Sequence, residues 1–174
     1  RSTMDAFMII KTMAVLLIAI VLCMVFIAKS LKGKKDFYAL QAQRVQGGGY
    51  RKQSLLNETE KQAYKAILDA GAERKLRVFA QVSLGEILRH QDYRLYKDIM
   101  SKRVDFLLTD AQFNPVMAIE IHGSGHYGNH AEQRDQIKQS ALGSAGIEYV
   151  SVITNGARVY QEVFQVCQQH FSRL

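Results

Sequence analysis

Cysteine is sparse in this chain of 174 residues, which contains only Cys23 and Cys167. Cys23 lies in an apolar run near the N-terminus and Cys167 lies near the C-terminus, so a disulfide framework and a metal site built from cysteines are both excluded. Such low cysteine usage is typical of a domain that folds in a reducing compartment. Proline is scarcer still, since Pro115 is the only one, and the sequence contains no internal repeat.

Acidic residues are also in the minority, because 23 Lys and Arg outnumber 16 Asp and Glu and give a net charge of +7. The excess is concentrated at one end of the chain. Residues 1–35 carry a net charge of +5, whereas residues 36–174 carry only +2. This distribution favours a role of the basic residues in membrane orientation over a general affinity of the folded part for nucleic acid.

Residues 12–28 contain no charged side chain and are bounded by Lys11 and Lys29. A helix that crosses the hydrocarbon core of a bilayer needs about 20 apolar residues, with a range of about 17–25. We therefore predict a transmembrane anchor with a basic flank over residues 1–35, in contact with lipid through residues 12–28. A cleaved signal peptide is the alternative, but its apolar region would be shorter and no small-x-small cleavage site follows. Lysines cluster after the segment, which predicts a single-pass protein of the inner (cytoplasmic) membrane with its C-terminal domain in the cytoplasm.

The remainder of the chain reads as a linker followed by one domain. Residues 36–54 are rich in glutamine and include Gly47, Gly48 and Gly49, which predicts a flexible linker. Residues 55–174 then show the order α-β-(α)-β-β-α-β-α, typical of an α/β domain with helices on the faces of its sheet. The spacing of Asn57 and Glu60 predicts a capping box at the first helix, and Ser83 with Glu86 predicts another.

The two central strands carry the most informative polar residues. Residues 104–109 and 115–122 read as strands of one hairpin, with Asp110, Asn114 and Pro115 at the turn. The hairpin would bring Asp105 close to Glu120, and the two-residue period of a strand puts Glu120 and His122 on one face. Taken alone, Asp105 is also consistent with a solvated strand-end charge. Glu120 interrupts an apolar strand, so its carboxylate requires a cation or a hydrogen-bond donor.

Four short motifs occur along this order of elements, and each is weak when taken singly. They are Leu56-Asn57-x-x-Glu60, Val104-Asp105-Phe106, Ile119-Glu120-Ile121-His122-Gly123-x-x-His126 and Arg134-Asp135-x-x-Lys138. Together, over residues 55–153, they resemble the PD-(D/E)XK nuclease superfamily. The match is closest to an uncharacterised bacterial family related to very-short-patch-repair-like endonucleases. The resemblance implies a restriction-endonuclease-like αβββαβ core with a mixed sheet flanked by helices.

The resemblance also implies a metal-dependent nuclease that hydrolyses phosphodiester bonds of DNA, or RNA, with Mg²⁺ or Mn²⁺. The implied catalytic residues are Asp105, Glu120, His122 and Lys138, and the implied metal ligands are Asp105, Glu120 and the Ile121 carbonyl. Supporting or phosphate-binding roles fall to Glu60, His126, Arg134 and Asp135.

One departure from the superfamily pattern leaves alternatives open. His122 occupies the position of the usual lysine, so His122 is a candidate general base and Lys138 a candidate migrated lysine. Without that lysine, the domain is alternatively an inactive nuclease-like module that binds nucleic acid or a protein at the membrane. A third possibility is a zinc-binding hydrolase or sensor built on His122, His126 and His130, although the intervening glycines indicate a loop rather than a helix.

Overall fold

A computed structural model describes residues 2–123 and 131–173, and the chain divides into two compact units, residues 1–52 and 53–174. The first unit is dominated by one helix, α1 (Ser2–Gln46). Within it, Lys11–Ser30 forms a 20-residue stretch with a mean hydropathy of 2.6, none of it buried. Its length and composition suffice for a membrane crossing.

Helix α1 extends further than the sequence pattern predicts. Residues 36–46 are helical, so the predicted flexible linker over residues 36–54 is wrong for this part. The reason is local, since residues 36–46 contain neither glycine nor proline and include alanine, leucine, glutamine and arginine, which favour helices. The helix ends before the glycine run, where Gly48 and Gly49 adopt positive φ angles of 72° and 86°. Irregular backbone follows over residues 47–57.

The second unit contains five helices and four strands among its described residues. They are α2 (Glu58–Gly71), β1 (Arg77–Ser83), α3 (Leu84–Ile87), α4 (Tyr93–Ile99), β2 (Arg103–Thr109), β3 (Pro115–Gly123), α5 (Ala131–Ser144), β4 (Glu148–Thr154) and α6 (Val159–Phe171). The sheet has the order β1-β2-β3-β4, in which β1, β2 and β3 are antiparallel neighbours and β4 runs parallel to β3. The predicted element order and the mixed α/β sheet are confirmed.

Two clusters of buried residues hold helices against the sheet. In the first cluster, α2 contributes residues at helical spacing, such as Ala63 and Ile67, and α6 contributes Val163 and Phe171. The second cluster joins Leu84 and Leu142 to inward-facing residues of β2 and β3. Buried Cys167 of α6 has its thiol pKa raised to about 12 by desolvation, so it packs as a neutral apolar residue.

The capping predictions have different outcomes. The capping box at α2 is confirmed, because Asn57 Oδ1 accepts from the Glu60 amide at 2.9 Å and Glu60 Oε2 accepts from the Asn57 amide at 2.7 Å. The capping box at Ser83 is wrong. Its hydroxyl instead donates to the Met100 carbonyl at 2.8 Å, since the chain between α4 and β2 passes beside it.

Candidate functional site

Asp105 lies where β2 and β3 stop pairing. Their antiparallel register places Phe106 opposite Ile119, so Asp105 comes opposite Glu120 one step further along. At this step the Asp105 side chain takes the place of a main-chain acceptor, because its Oδ2 accepts the Ile121 amide at 2.8 Å. The bond fixes the Asp105 carboxylate beside the end of β3, close to Glu120, as the hairpin prediction requires.

Glu120 is buried in β3, with 5% of its surface exposed, and its cationic partner comes from α5. Lys138 Nζ lies 2.6 Å from Glu120 Oε1 and 2.9 Å from Asp135 Oδ1. Asp135 and Lys138 are three residues apart on one helix, so a single face of α5 presents both groups to the sheet. An ammonium group therefore accompanies Glu120, although β3 itself carries histidine at position 122.

Burial and the neighbouring charged groups shift the pKa values of both Glu120 and Lys138. Desolvation, together with the charges of Asp105 and Asp135, raises the pKa of Glu120 to about 7 despite the adjacent ammonium group. Burial lowers the pKa of Lys138, but its hydrogen bonds to Glu120 and Asp135 outweigh burial and raise that pKa above its ordinary value. Lys138 thus remains charged at neutral pH, whereas Glu120 takes up a proton readily.

His122 brings an imidazole to the same cluster. Its Nε2 lies 3.5 Å from Asp135 Oδ2, and Glu120, His122 and Asp135 each offer a ligand atom within 4.8 Å of the others. Carboxylate oxygens are ligands that Mg²⁺ and Mn²⁺ prefer, whereas an imidazole nitrogen is a ligand that suits transition-metal ions. Of the predicted ligands Asp105, Glu120 and Ile121, this cluster contains only Glu120, which is joined by His122 and Asp135. Asp105 instead accepts the Ile121 amide. The ligand role predicted for the Ile121 carbonyl stays a prediction.

The predicted site residues that the structure describes line one cleft with a volume of about 700 Å³. Those residues are Glu60, Asp105, Glu120, Ile121, His122, Arg134, Asp135 and Lys138. Lys102 and Arg103, which the sequence analysis did not select, add positive charge to the lining. His126 and His130 lie outside the described residues, and so do the role predicted for His126 and the three-histidine zinc site.

Glu60 enters this cleft from the first turn of α2 and is held there by two hydrogen bonds. Its Oε2 accepts the Asn57 amide of the capping box, and its Oε1 accepts Gln81 Nε2 at 3.1 Å. Gln81, in β1, was missed by the sequence analysis. The available signal was a single amide side chain within the otherwise apolar Val78–Val82 stretch.

Tyr149 of β4 is a second residue that the sequence analysis missed. Its hydroxyl is buried and finds no hydrogen-bond partner among the residues that the structure describes. Desolvation, followed by the negative charges of Glu120, Asp135 and Asp105, raises the pKa of this phenol. A tyrosine in an apolar strand is common, so no sequence pattern marks Tyr149 as part of the cluster.

Comparisons with known proteins place this domain among relatives without assigned activity. The family model described as "Protein of unknown function (DUF2726)" matches residues 52–169. An "Uncharacterized protein" of Haemophilus influenzae is 37% identical over 109 residues, covering 61% of this chain and 57% of that protein. The "Uncharacterized protein y4bI" of Sinorhizobium fredii is 41% identical over 106 residues, covering 60% of this chain and 77% of its own length. No solved structure matches the chain.

Proposed function

The chain belongs to the DUF2726 family, and we propose that its second unit is a divalent-cation-dependent nuclease of the PD-(D/E)XK type, held at a membrane by α1. The proposed reaction is hydrolysis of phosphodiester bonds in DNA, or RNA. The proposal rests on the chemistry of one cleft rather than on the relatives, whose names assign no activity.

The observation that carries the proposal is the 2.6 Å contact between Lys138 Nζ and Glu120 Oε1. The PD-(D/E)XK pattern pairs an acidic residue on the third strand with a lysine two positions later, and His122 breaks that pattern. Lys138 of α5 brings an ammonium group to the same carboxylate from a different element. Lys138 therefore supplies the ammonium group that the pattern would place at position 122, which supports an active rather than an inactive site.

The donor set of the cleft suits a hard divalent cation. Asp105, Glu120 and Asp135 supply three carboxylates, and the Lys138 ammonium group contacts two of them. Asp105, Glu120 and Asp135 are the proposed ligands for Mg²⁺ or Mn²⁺. A cation held there would stabilise the negative charge that develops on a phosphate under attack.

Other side chains of the cleft would stabilise negative charge, accept a proton and bind phosphate groups. Lys138, whose positive charge persists at neutral pH, would stabilise negative charge near Glu120. His122 is the proposed general base, because a neutral imidazole can accept a proton from an attacking water molecule. Lys102, Arg103 and exposed Arg134 would bind the flanking phosphates and align the strand.

The order of elements supports a restriction-endonuclease-like core as part of this proposal. Leaving aside the short helices α3 and α4, the chain runs α2-β1-β2-β3-α5-β4, which is the αβββαβ order. Three antiparallel strands followed by a parallel fourth strand agree with that arrangement.

The membrane part of the proposal assigns Lys11–Ser30 to the inner membrane and residues 53–174 to the cytoplasm. The apolar length of α1 and the lysines that follow it support this orientation. Protease protection of right-side-out and inverted vesicles tests it. The C-terminal domain should be digested only in inverted vesicles, and digestion in right-side-out vesicles would reverse the assignment.

The activity can be tested with the full chain in mild detergent, supplied with Mg²⁺ or Mn²⁺ and with duplex DNA, single-stranded DNA or RNA. We expect cation-dependent cleavage that Asp105→Asn, Glu120→Gln and Lys138→Met each reduce at least about 100-fold, since each removes a group that acts on the reacting phosphate. The matched controls Asp98→Asn and Lys97→Met alter exposed residues of α4 and should retain activity. Cleavage that survives all three site variants would refute the proposal.

A second candidate function follows from the same contacts. Lys138 bridges Glu120 and Asp135, and this buried network can serve as a structural brace in a domain that binds nucleic acid or a protein without cleaving it. In that case calorimetry would detect no binding of divalent cations at the carboxylates. Salt-sensitive DNA binding without cleavage would identify the nucleic-acid form of this alternative.

A further inference from the structure

Gln81 adopts a backbone conformation that is unusual for its place in the fold. Its φ angle is +57°, in the left-handed region, yet it lies inside strand β1. Two other non-glycine residues share a positive φ in the described structure, and both Lys75 and Phe113 lie outside the strands. A left-handed conformation costs an L-residue about 1–2 kcal/mol, which a glycine at the same position would avoid.

The strained residue lies directly opposite Asp105. Ala80 pairs with Phe106 and Val82 pairs with Val104, so Gln81 and Asp105 face each other between these two pairs. Ala80 packs against the first cluster of buried residues, which includes α2 and α6, whereas Val82 packs against the second cluster, which includes Leu84 and Leu142. Residues two apart in a regular strand share one face, so β1 changes the face it buries at Gln81.

The change of face is accompanied by a side-chain contact with the cleft. Gln81 Nε2 donates to Glu60 Oε1 at 3.1 Å, while the other Glu60 oxygen is held by the Asn57 amide at 2.7 Å. Glu60 lines the cleft with Asp105, and Gln81 lies behind Glu60, outside that lining. The amide of Gln81 therefore fixes one of the two oxygens of a carboxylate that faces the proposed cation site.

We propose that Gln81 is a positioning residue of this site, which holds the Glu60 carboxylate in the cleft through its left-handed backbone and its side-chain amide. The inference rests on the proposed function, because it assigns Gln81 a role in cation binding. Strain inside a regular strand persists where the surrounding structure gains from it, and here the gain is the orientation of Glu60. Groups that surround a metal site and orient its ligands or bound water commonly change metal affinity about 10–100-fold when they are lost, and Glu60, which lines the cleft without being a proposed ligand, would be such a group.

The variant Gln81→Gly changes both features, so that folding stability reports the relief of backbone strain and Mn²⁺ affinity reports the loss of the side-chain amide. We expect the full chain in detergent to be as stable as the wild type or more stable in urea, yet to bind Mn²⁺ about tenfold more weakly by calorimetry. A purely architectural residue would not combine unimpaired stability with weakened binding. Lys75→Gly is the matched control, since it relieves a similar φ of 55° at an exposed position away from the cleft and should leave Mn²⁺ affinity unchanged.

The possible results distinguish failure of the role proposed for Gln81 from failure of the proposed function on which it rests. Wild-type Mn²⁺ affinity in Gln81→Gly, with binding abolished in Glu120→Gln, would overturn the positioning role and leave the cation site intact. Absence of Mn²⁺ binding in the wild-type protein would overturn both. Reduced affinity in Lys75→Gly, equal to that in Gln81→Gly, would also overturn the positioning role, because strain relief alone would then account for the loss.

Discussion

Replacing Glu120 by glutamine measures what it costs the fold to keep a buried carboxylate in the cleft. The pKa of Glu120 is raised from an ordinary 4.5 to about 7, chiefly by desolvation. An acid whose pKa is higher in the folded state than in the unfolded chain binds protons more tightly when folded, so folding stability falls as pH rises from 4.5 to 7. At about 1.36 kcal/mol per pKa unit, the full penalty above pH 7 is about 3 kcal/mol.

Glutamine is neutral at every pH and nearly isosteric with protonated glutamate. We therefore expect Glu120→Gln to raise the free energy of unfolding by about 2–3 kcal/mol at pH 8, and by less than about 1 kcal/mol at pH 5, where Glu120 is itself largely protonated. Lys138 would keep its second partner, because Asp135 Oδ1 lies 2.9 Å from Nζ. The same change should abolish Mn²⁺ binding, so the variant gains stability and loses function.

Urea unfolding of the full chain in detergent, at pH 5 and pH 8 and without divalent cations, provides the measurement. Tyrosine fluorescence is a convenient probe because the chain has eight tyrosines and no tryptophan. Glu73→Gln makes the same chemical change at an exposed residue of the turn after α2, and its effect should stay within about 0.5 kcal/mol at both pH values. A Glu120→Gln variant that is less stable than the wild type at pH 8, or equally affected at both pH values, would refute this reasoning.

Three further outcomes are expected. Mn²⁺ binding should release close to one proton from Glu120 at pH 5.5 and about half a proton at pH 7, and it should weaken about tenfold per pH unit on acidification well below pH 7. Calorimetry in buffers of different ionisation enthalpy checks this, and pH-independent binding would contradict it. Asn57→Ala should cost about 1 kcal/mol in urea unfolding by removing the α2 cap, and an unchanged midpoint would argue against the capping box. Tyr149→Phe should be neutral or stabilise by up to about 1 kcal/mol, because the buried hydroxyl has no partner in the described part of the chain; a loss above about 1 kcal/mol would indicate a bond that it makes.

Local patterns predicted the elements of this fold, whereas the geometry of the site depended on contacts that a sequence does not display. The capping box of Asn57 follows from side chains three residues apart, and strand alternation located Glu120. The partner of Glu120 was harder to identify, because Lys138 follows 18 residues later and reaches the strand only once α5 packs on the sheet. The left-handed backbone of Gln81 has no local signature either, since glycine and asparagine are the residues that usually mark it.

If α1 is a membrane anchor as proposed, its length beyond the apolar stretch would limit how far the cleft reaches from the bilayer. With Lys11–Ser30 in a bilayer, residues 31–46 would extend the helix by about 24 Å, at 1.5 Å per residue. The irregular residues 47–57 add a further span of at most about 40 Å when fully extended. If the proposed activity is also correct, the domain would act only within a limited distance of the membrane, so its substrates would be selected by their location as well as by their chemistry.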